Sequence, residues 1–383
     1  MYDLISNMFG TRSATIKHVR IGYLFSSEEG YWMAWSNTVS PEDDRLHSRN
    51  ADPWWNESSF TTFRVPERKL FGILYHYMRP NQNTAMAGPW FVDPSGDEMS
   101  TCLYNGFDWH MSLPDGADMF DFTLENSYSV QTLTPQMSYR HTYSAPGCQF
   151  DLTYRADRTP VAMRSAGERV NVGMRDFVQD VAAKHTGHYE QTGVMEGVLE
   201  IEGERIIVTD AAVIKDRTWG PRRILIGQHK PRGSYTFARA DRDNSFQAFA
   251  MSAEPWERDP LVGAADPVAH GFYVKDGVLG HLVSGTRTVL ERHSDGRPVR
   301  ECIDAVDEHG RRLHATGEVV TLLKWHSPYG GVMTYWCYEN WTFDGHDDAP
   351  GELQDWMMGR QFASWMRSGD DRVLRVDAPL SHV

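Results

Sequence analysis

The chain has 383 residues, enough for about two domains of ordinary size. Hydrophobic residues make up 40%, enough to fill real cores, and a formal charge of −14 argues against nucleic acid and anionic membrane surfaces, which both need clustered cations. The four cysteines include no Cys-x-x-Cys pair, which excludes a zinc ribbon and a disulfide scaffold and predicts reduced, mostly buried thiols.

The N-terminal Met1-Tyr2-Asp3-Leu4 does not begin a cationic segment followed by an apolar run, and no stretch of about 18 uninterrupted apolar residues occurs. Neither a signal peptide nor membrane insertion is expected, and the expected location is cytoplasmic. Residues 1–50 are mixed and polar, with Ser40-Pro41-Glu42-Asp43-Asp44 reading as a helix start or an exposed loop. Strand patterns begin near residue 58. In the aromatic run 71–78, Tyr75 and Tyr77 share one face while His76 points opposite, toward solvent. Trp90, Trp109 and His110 add to this aromatic group, with Trp109 expected to pack in a first barrel. Residues 128–133 and 148–154 alternate as strands do, and 174–184 fit one short helix.

The boundary between two halves, 1–185 and 186–383, is expected near this helix. Strand 197–201 turns at Glu202-Gly203 into 205–208. The chain then runs into Lys215-Asp216-Arg217-Thr218-Trp219-Gly220-Pro221-Arg222 and leaves through the apolar 224–226. Further turns at Lys275-Asp276-Gly277, Ser294-Asp295-Gly296 and Glu308-His309-Gly310 separate alternating runs, and such turns demand positive φ. This spacing describes an antiparallel meander. Residues 351–368 place Leu353, Trp356, Met357, Phe362, Trp365 and Met366 at near-helical spacing, predicting a C-terminal amphipathic segment packed on a barrel. The predicted class is all-β: two tandem antiparallel barrel or sandwich domains with few short helices.

Three groups of residues carry possible chemistry. The first is the charged octapeptide, where Asp216 is a candidate acid with Trp219 as its π-face, or else an ionised partner of Arg217, Arg222 or Arg223. The second is His185, His188 and Glu190. His188 and Glu190 are two apart on a strand and share a face, which suits a proton relay, or else the group is exposed at a domain junction; the spacing matches no known metal site, and no metal is assigned. The third is the run 335–341, where Trp336, Tyr338 and Asn340 face one way and Tyr335, Cys337, Glu339 and Trp341 the other. Glu339 between aromatics is a carboxylate whose pKa such a setting raises if that face points inward, and an ordinary one if it points outward. Glu57 follows Trp54 and Trp55 and is read the same way. No nucleophile elbow, P-loop or Rossmann fingerprint is present.

The stretch His185-Thr186-Gly187-His188-Tyr189-Glu190-Gln191, followed by the octapeptide, resembles the carotenoid 1,2-hydratase (hydroxyneurosporene synthase)-like and AttH-like proteins. Many of these carry Arg-Asp-His-Ser-Trp-Gly at the octapeptide's position. Trp55-Asn56-Glu57-Ser58 is similar to their Asn-Glu-Ser element, and Gly330-Gly331-Val332-Met333-Thr334-Tyr335-Trp336 to their glycine-rich strand, so the resemblance spans roughly 50–345. It implies two tandem lipocalin-like domains with a ligand cavity between or inside them. Members of the family hydrate isoprenoid double bonds or a prenylated isoflavonoid, and related folds act as pericyclases. Two positions depart from the signature: Lys215 stands where Arg is usual, and Arg217 where His is usual. A guanidinium does not deprotonate, so Arg217 cannot replace a proton-handling histidine.

These readings predict a cofactor-independent enzyme that hydrates, dehydrates or isomerises a small apolar, isoprenoid-type molecule. Such chemistry needs a carboxylic acid kept protonated by burial and aromatic rings to stabilise a cation. The candidate catalytic residues are Asp216, Trp219, Glu339, His188 and Glu190. Arg217, Arg222, Glu57, Tyr75, Trp109, Tyr335 and Trp336 are candidates for holding the substrate. The alternatives are a terpenoid or lipid carrier without chemistry, and a pericyclase or cyclase.

Overall fold

The computed structural model describes residues 39–47, 52–163, 187–222, 232–252, 261–326 and 331–368. The short helix expected at 174–184, His185, Arg223 and the strand expected at 224–226 lie outside them. Two antiparallel sheets account for nearly all of the described chain. The first contains β1 (Trp55–Val65), β2 (Leu70–Arg79), β3 (Thr84–Val92), β4 (Tyr104–Asn105), β5 (Asp108–Ser112), β6 (Phe122–Thr123), β7 (Ser129–Thr134), β8 (Ser138–Ala145), β9 (Cys148–Ala156), β10 (Val161–Ala162), β11 (Gly187–Ile201) and β12 (Glu204–Pro221). Its main path runs β4-β3-β2-β1-β12-β11-β9-β8-β7-β6.

The second sheet is a closed eight-stranded barrel, a meander that removes every exposed strand edge. It is built from β13 (Gly233–Arg239), β14 (Ser245–Met251), β15 (Ala265–Lys275), β16 (Val278–Arg292), β17 (Pro298–Asp307), β18 (Arg312–His326), β19 (Val332–Phe343) and β20 (His346–Met358), followed by helix α1 (Gly359–Ser368). The expected hairpin turns are in place, with Asp276, Gly277, Gly296 and Gly310 all at positive φ. Among the described residues no helix is long and apolar enough to cross a membrane.

The expected boundary at 185/186 falls ahead of two strands that belong to the first sheet. β11 and β12 pair with β9 and β1, and the change of sheet comes between Pro221 and Gly233. The C-terminal expectation is corrected too. Leu353, Trp356 and Met357 belong to strand β20, because residues 351–358 alternate: Leu353 and Met357 join one core while Trp356 joins another. Only Phe362, Trp365 and Met366 lie on the helix.

Between the sheets lies a layer contributed by both. Phe60, Phe71, Ile73, Tyr75, Tyr77 and Trp90 of the first sheet pack with Tyr235, Phe237, Phe249, Trp325, Trp336 and Trp356 of the barrel. This layer explains β1, whose sequence WNESSFTTFRV is mixed yet buried at all eleven positions. A strand covered on both faces is normally a run of aliphatic residues, and polar groups there must find partners. Arg64 does so across the layer, in a fully buried ion pair with Glu352 of β20. Glu352 also accepts from the Thr62 hydroxyl and from Trp336 Nε1 at 2.6 Å. His76 is likewise not at the surface: it is 1% exposed and packs against Phe120 and Phe122, because β2 too is covered on both sides.

Candidate active site

Strand alternation sorts the charged octapeptide onto two faces of β12. Lys215, Arg217 and Trp219 point away from the barrel. The Lys215 ammonium lies 4.4, 4.9 and 4.7 Å from the rings of Phe120, Tyr139 and Tyr189 and donates to the Tyr189 hydroxyl at 3.1 Å. Burial pulls its pKa down to about 8. Arg217 forms a fully buried ion pair with Glu57 and also donates to the backbone carbonyls of Asp43 (3.2 Å), Arg45 (3.0 Å) and Thr218 (2.9 Å). Glu57 accepts from Trp55 Nε1 at 2.8 Å and from the His47 amide at 2.9 Å, and the His47 ring stacks on Trp219 at 4.4 Å. Burial pushes the Glu57 carboxyl up, but Arg217 and His47 more than offset it, so the group ends below its ordinary value. Gly187, opposite Trp219 in register, is glycine for a steric reason: a Cβ there would meet the Trp219 ring at 2.1 Å. This side of β12 fastens residues 39–47 onto the sheet.

The other face of β12 carries Asp216 and Thr218 toward the barrel, and β11 carries His188 and Glu190 beside them in register: His188 opposite Thr218, Glu190 opposite Asp216. The four side chains form one hydrogen-bonded chain. Tyr235 of β13 donates its hydroxyl to Glu190 Oε2, and Glu190 Oε1 meets His188 Nε2. His188 Nδ1 lies 2.6 Å from Thr218 Oγ1, which donates to Asp216 Oδ2 at 3.1 Å. Asp216 Oδ1 accepts the Phe60 amide at 2.7 Å.

The electrostatics of the chain set its protons. Burial raises Glu190 well above the ordinary carboxylate range, opposed by the Tyr235 hydrogen bond. Burial lowers His188 to about 4, against the pull of Asp216. Burial raises Asp216 to about 6, offset in part by His188. With Glu190 protonated, one arrangement satisfies every member. Protonated Glu190 donates to neutral His188, His188 Nδ1–H donates to Thr218, and Thr218 donates to the Asp216 carboxylate. Glu190 is almost wholly buried, while the His188 side chain keeps 11% of its surface exposed, so the chain leads from solvent to a buried acid.

A continuous aromatic wall adjoins the acid. Phe60 meets Tyr235 edge-on at 5.7 Å and Trp336 at 5.6 Å. Trp336 contacts Tyr75 at 6.5 Å and Trp325 at 5.8 Å. Trp90 extends the wall to Phe107, stacked at 4.2 Å, and Phe107 meets Trp109 at 5.0 Å. A developing cation beside such rings gains about 0.5–2 kcal/mol from each face it meets.

Of the residues singled out from sequence, the structure brings together His188, Glu190, Asp216, Tyr75, Trp336 and Trp109. Arg222 is half-buried nearby and lowers the pKa of both His188 and Asp216. Trp219, Arg217 and Glu57 lie on the opposite face of the sheet, so Trp219 is not the π-face of Asp216 and Arg217 is not its ion partner. Glu339 and Tyr335 belong to the barrel side of β19. Glu339 is fully buried with its pKa raised by burial and by Glu301, and the Tyr335 hydroxyl donates to the Asp295 carbonyl at 2.8 Å. Sequence reading missed Thr218 as a bridge although it sits inside the octapeptide. Tyr235, Phe60 and Trp325 were missed because most of their contacts are made across the sheets.

No curated protein matches the chain. The putative AttH (NE1406) from Nitrosomonas europaea has a TM-score of 0.55 at 13% identity, covering 84% of this chain and 96% of that one. Kievitone hydratase from Nectria haematococca (TM-score 0.48, 11% identity, 84% and 93% covered) and CghA (0.49, 11%, 80% and 88%) are also similar. The fold is that of the AttH-like tandem lipocalin proteins. The family model described as "Domain of unknown function (DUF7064)" matches residues 40–352, and the chain belongs to that family.

Proposed function

We propose that the protein is a cofactor-independent enzyme that hydrates, dehydrates or isomerises a small apolar molecule carrying an isoprenoid-type double bond or tertiary alcohol. The observation that carries this reading is the hydrogen-bonded chain from Asp216 through Thr218 and His188 to the buried Glu190, whose pKa burial raises well above the ordinary carboxylate range, set against the rings of Tyr235, Phe60 and Trp336. In hydration, Glu190 gives its proton to one alkene carbon, and the positive charge develops on the more substituted carbon beside the rings. Water adds there, and its surplus proton passes to the Glu190 carboxylate, directly or through His188. Dehydration runs these steps backward, and loss of a different C–H proton from the cation gives isomerisation. Tyr75 and Trp336 orient the apolar body.

The experiment is incubation of the purified protein with terpene alcohols, branched alkenes and prenylated phenols, with products read by chromatography and mass spectrometry. A product that gains or loses water, or an isomer, formed by wild type and not by Glu190→Gln, is expected. A co-purified apolar molecule returned unchanged, with no conversion across the panel, overturns the enzyme reading in favour of a carrier. Turnover that survives loss of both Glu190 and Asp216 carboxyls points instead to a pericyclase, in which the site only orders the substrate.

A further inference from the structure

A second cluster of chemistry-bearing side chains lies on the outer face of the barrel. Along β17, Glu301, Ile303 and Ala305 are buried, while Cys302 and Asp304 point outward. The Glu308-His309-Gly310 turn fixes the register with β18 so that His314 stands directly opposite Asp304. Three different ligand types converge: Cys302 Sγ lies 3.4 Å from Asp304 Oδ2 and 3.9 Å from His314 Nδ1, and His314 Nδ1 lies 2.7 Å from Asp304 Oδ1. The ligand atoms all lie within 4.8 Å of one another. Tetrahedral zinc, with bonds of about 2.3 Å to sulfur and 2.0–2.2 Å to nitrogen and oxygen, sets its ligands roughly 3.3–3.6 Å apart, so small rotamer changes suffice.

We propose that Cys302, Asp304 and His314 bind a thiophilic divalent cation, with zinc the fitting ion, leaving a fourth position open to water or a further ligand. A thiolate and an imidazole select against magnesium and calcium, which take oxygen ligands. On this outward face Cys302 pairs in register with Thr288 and Thr316, and Asp304 with Thr286, while Arg300 and Arg312 lie two residues along the strands from Cys302 and His314, Arg300 opposite Glu318. Burial, and then the Asp304 carboxylate, push the Cys302 thiol up to about 12 in the metal-free protein. A bound cation reverses that effect and displaces the thiol proton, so affinity rises with pH. The ion clips β17 to β18 at a site separate from the Glu190 relay.

The test is titration of the untagged, reduced, metal-free protein with Co²⁺ and then Zn²⁺. One equivalent of Co²⁺ is expected to produce a thiolate-to-cobalt charge-transfer band in the near ultraviolet, which Zn²⁺ then removes. Cys302→Ser abolishes the band. His314→Ala weakens binding by more than the roughly 10–100-fold that loss of an outer-shell partner costs. No band in wild type, or an equal band in Cys302→Ser, overturns the site. Should the variants misfold, alkylation of Cys302 in wild type, followed by mass spectrometry, decides: Zn²⁺ slows it if the site exists, and equal rates with and without Zn²⁺ overturn it.

Discussion

Asp216 and Arg217 are neighbours in the chain that face opposite sides of the same sheet. Arg217 is committed to Glu57, while Asp216 lies beside Thr218 and His188 against the barrel. This separation matters chemically. An ion pair with Arg217 would hold Asp216 ionised, whereas burial, offset only in part by His188 and Arg222, raises it to about 6. One octapeptide thus supplies a structural clamp on one face and part of a proton relay on the other.

The clamp predicts a stability effect without a chemical one. Arg217→Met leaves Glu57 buried without its ion partner and is expected to destabilise the protein by about 3–5 kcal/mol, read from the denaturant midpoint. Activity per folded molecule is unchanged. A loss of turnover in fully folded Arg217→Met would move the site to the other face of the sheet.

Glu190→Gln keeps the shape and can still hydrogen-bond Tyr235 and His188, but it has no proton to give. Turnover is expected to fall by roughly 100-fold or more, with circular dichroism unchanged. Retained turnover would assign the acid elsewhere.

Tyr235→Phe removes one oxygen and leaves the edge contact with Phe60 possible. The Tyr235 hydrogen bond lowers the Glu190 pKa, so its loss raises that pKa further. Glu190 then keeps its proton to higher pH, and the alkaline limb of the kcat profile shifts upward. A downward shift would contradict the assignment of Glu190 as the protonated member.

Asp216→Asn tests the linkage between protonation and folding. Between the ordinary value of 3.8 and about 6 the folded protein holds a proton on Asp216 that the unfolded chain has lost. The wild type therefore loses stability as pH rises through this window, and the variant does not. Unfolding free energies of variant relative to wild type should grow in the variant's favour from pH 4 to pH 7, by on the order of 3 kcal/mol at most. A constant difference across that range would mean that Asp216 titrates normally.

Much of the fold could be read from local signals. The meander was legible because Asp276-Gly277, Gly296 and Gly310 mark turns that only positive φ allows, and the shared face of His188 and Glu190 follows from a period of two. What failed involved contacts between sheets. His76 was expected at the surface because alternation predicts one wet face, but both faces of β2 are covered. Residues 351–358 scan as a helical stripe because Trp356 and Met357 belong to separate cores on the two sides of a strand. The pairing of Trp219 with Asp216 was inferred from closeness in sequence, yet three residues along a strand reverses the face. Tyr235 and Phe60 entered the site through contacts that no local pattern encodes.

The most direct measurement is deuterium incorporation during turnover in D₂O, comparing wild type, Glu190→Gln and Arg217→Met on the best substrate of the panel. When the reaction is a hydration or an isomerisation, proton delivery by Glu190 predicts a carbon-bound deuterium in the wild-type and Arg217→Met products. It also predicts loss of that label, by roughly 100-fold or more, in Glu190→Gln. Equal label in Glu190→Gln, or a wild-type hydration or isomerisation product free of deuterium, would contradict it.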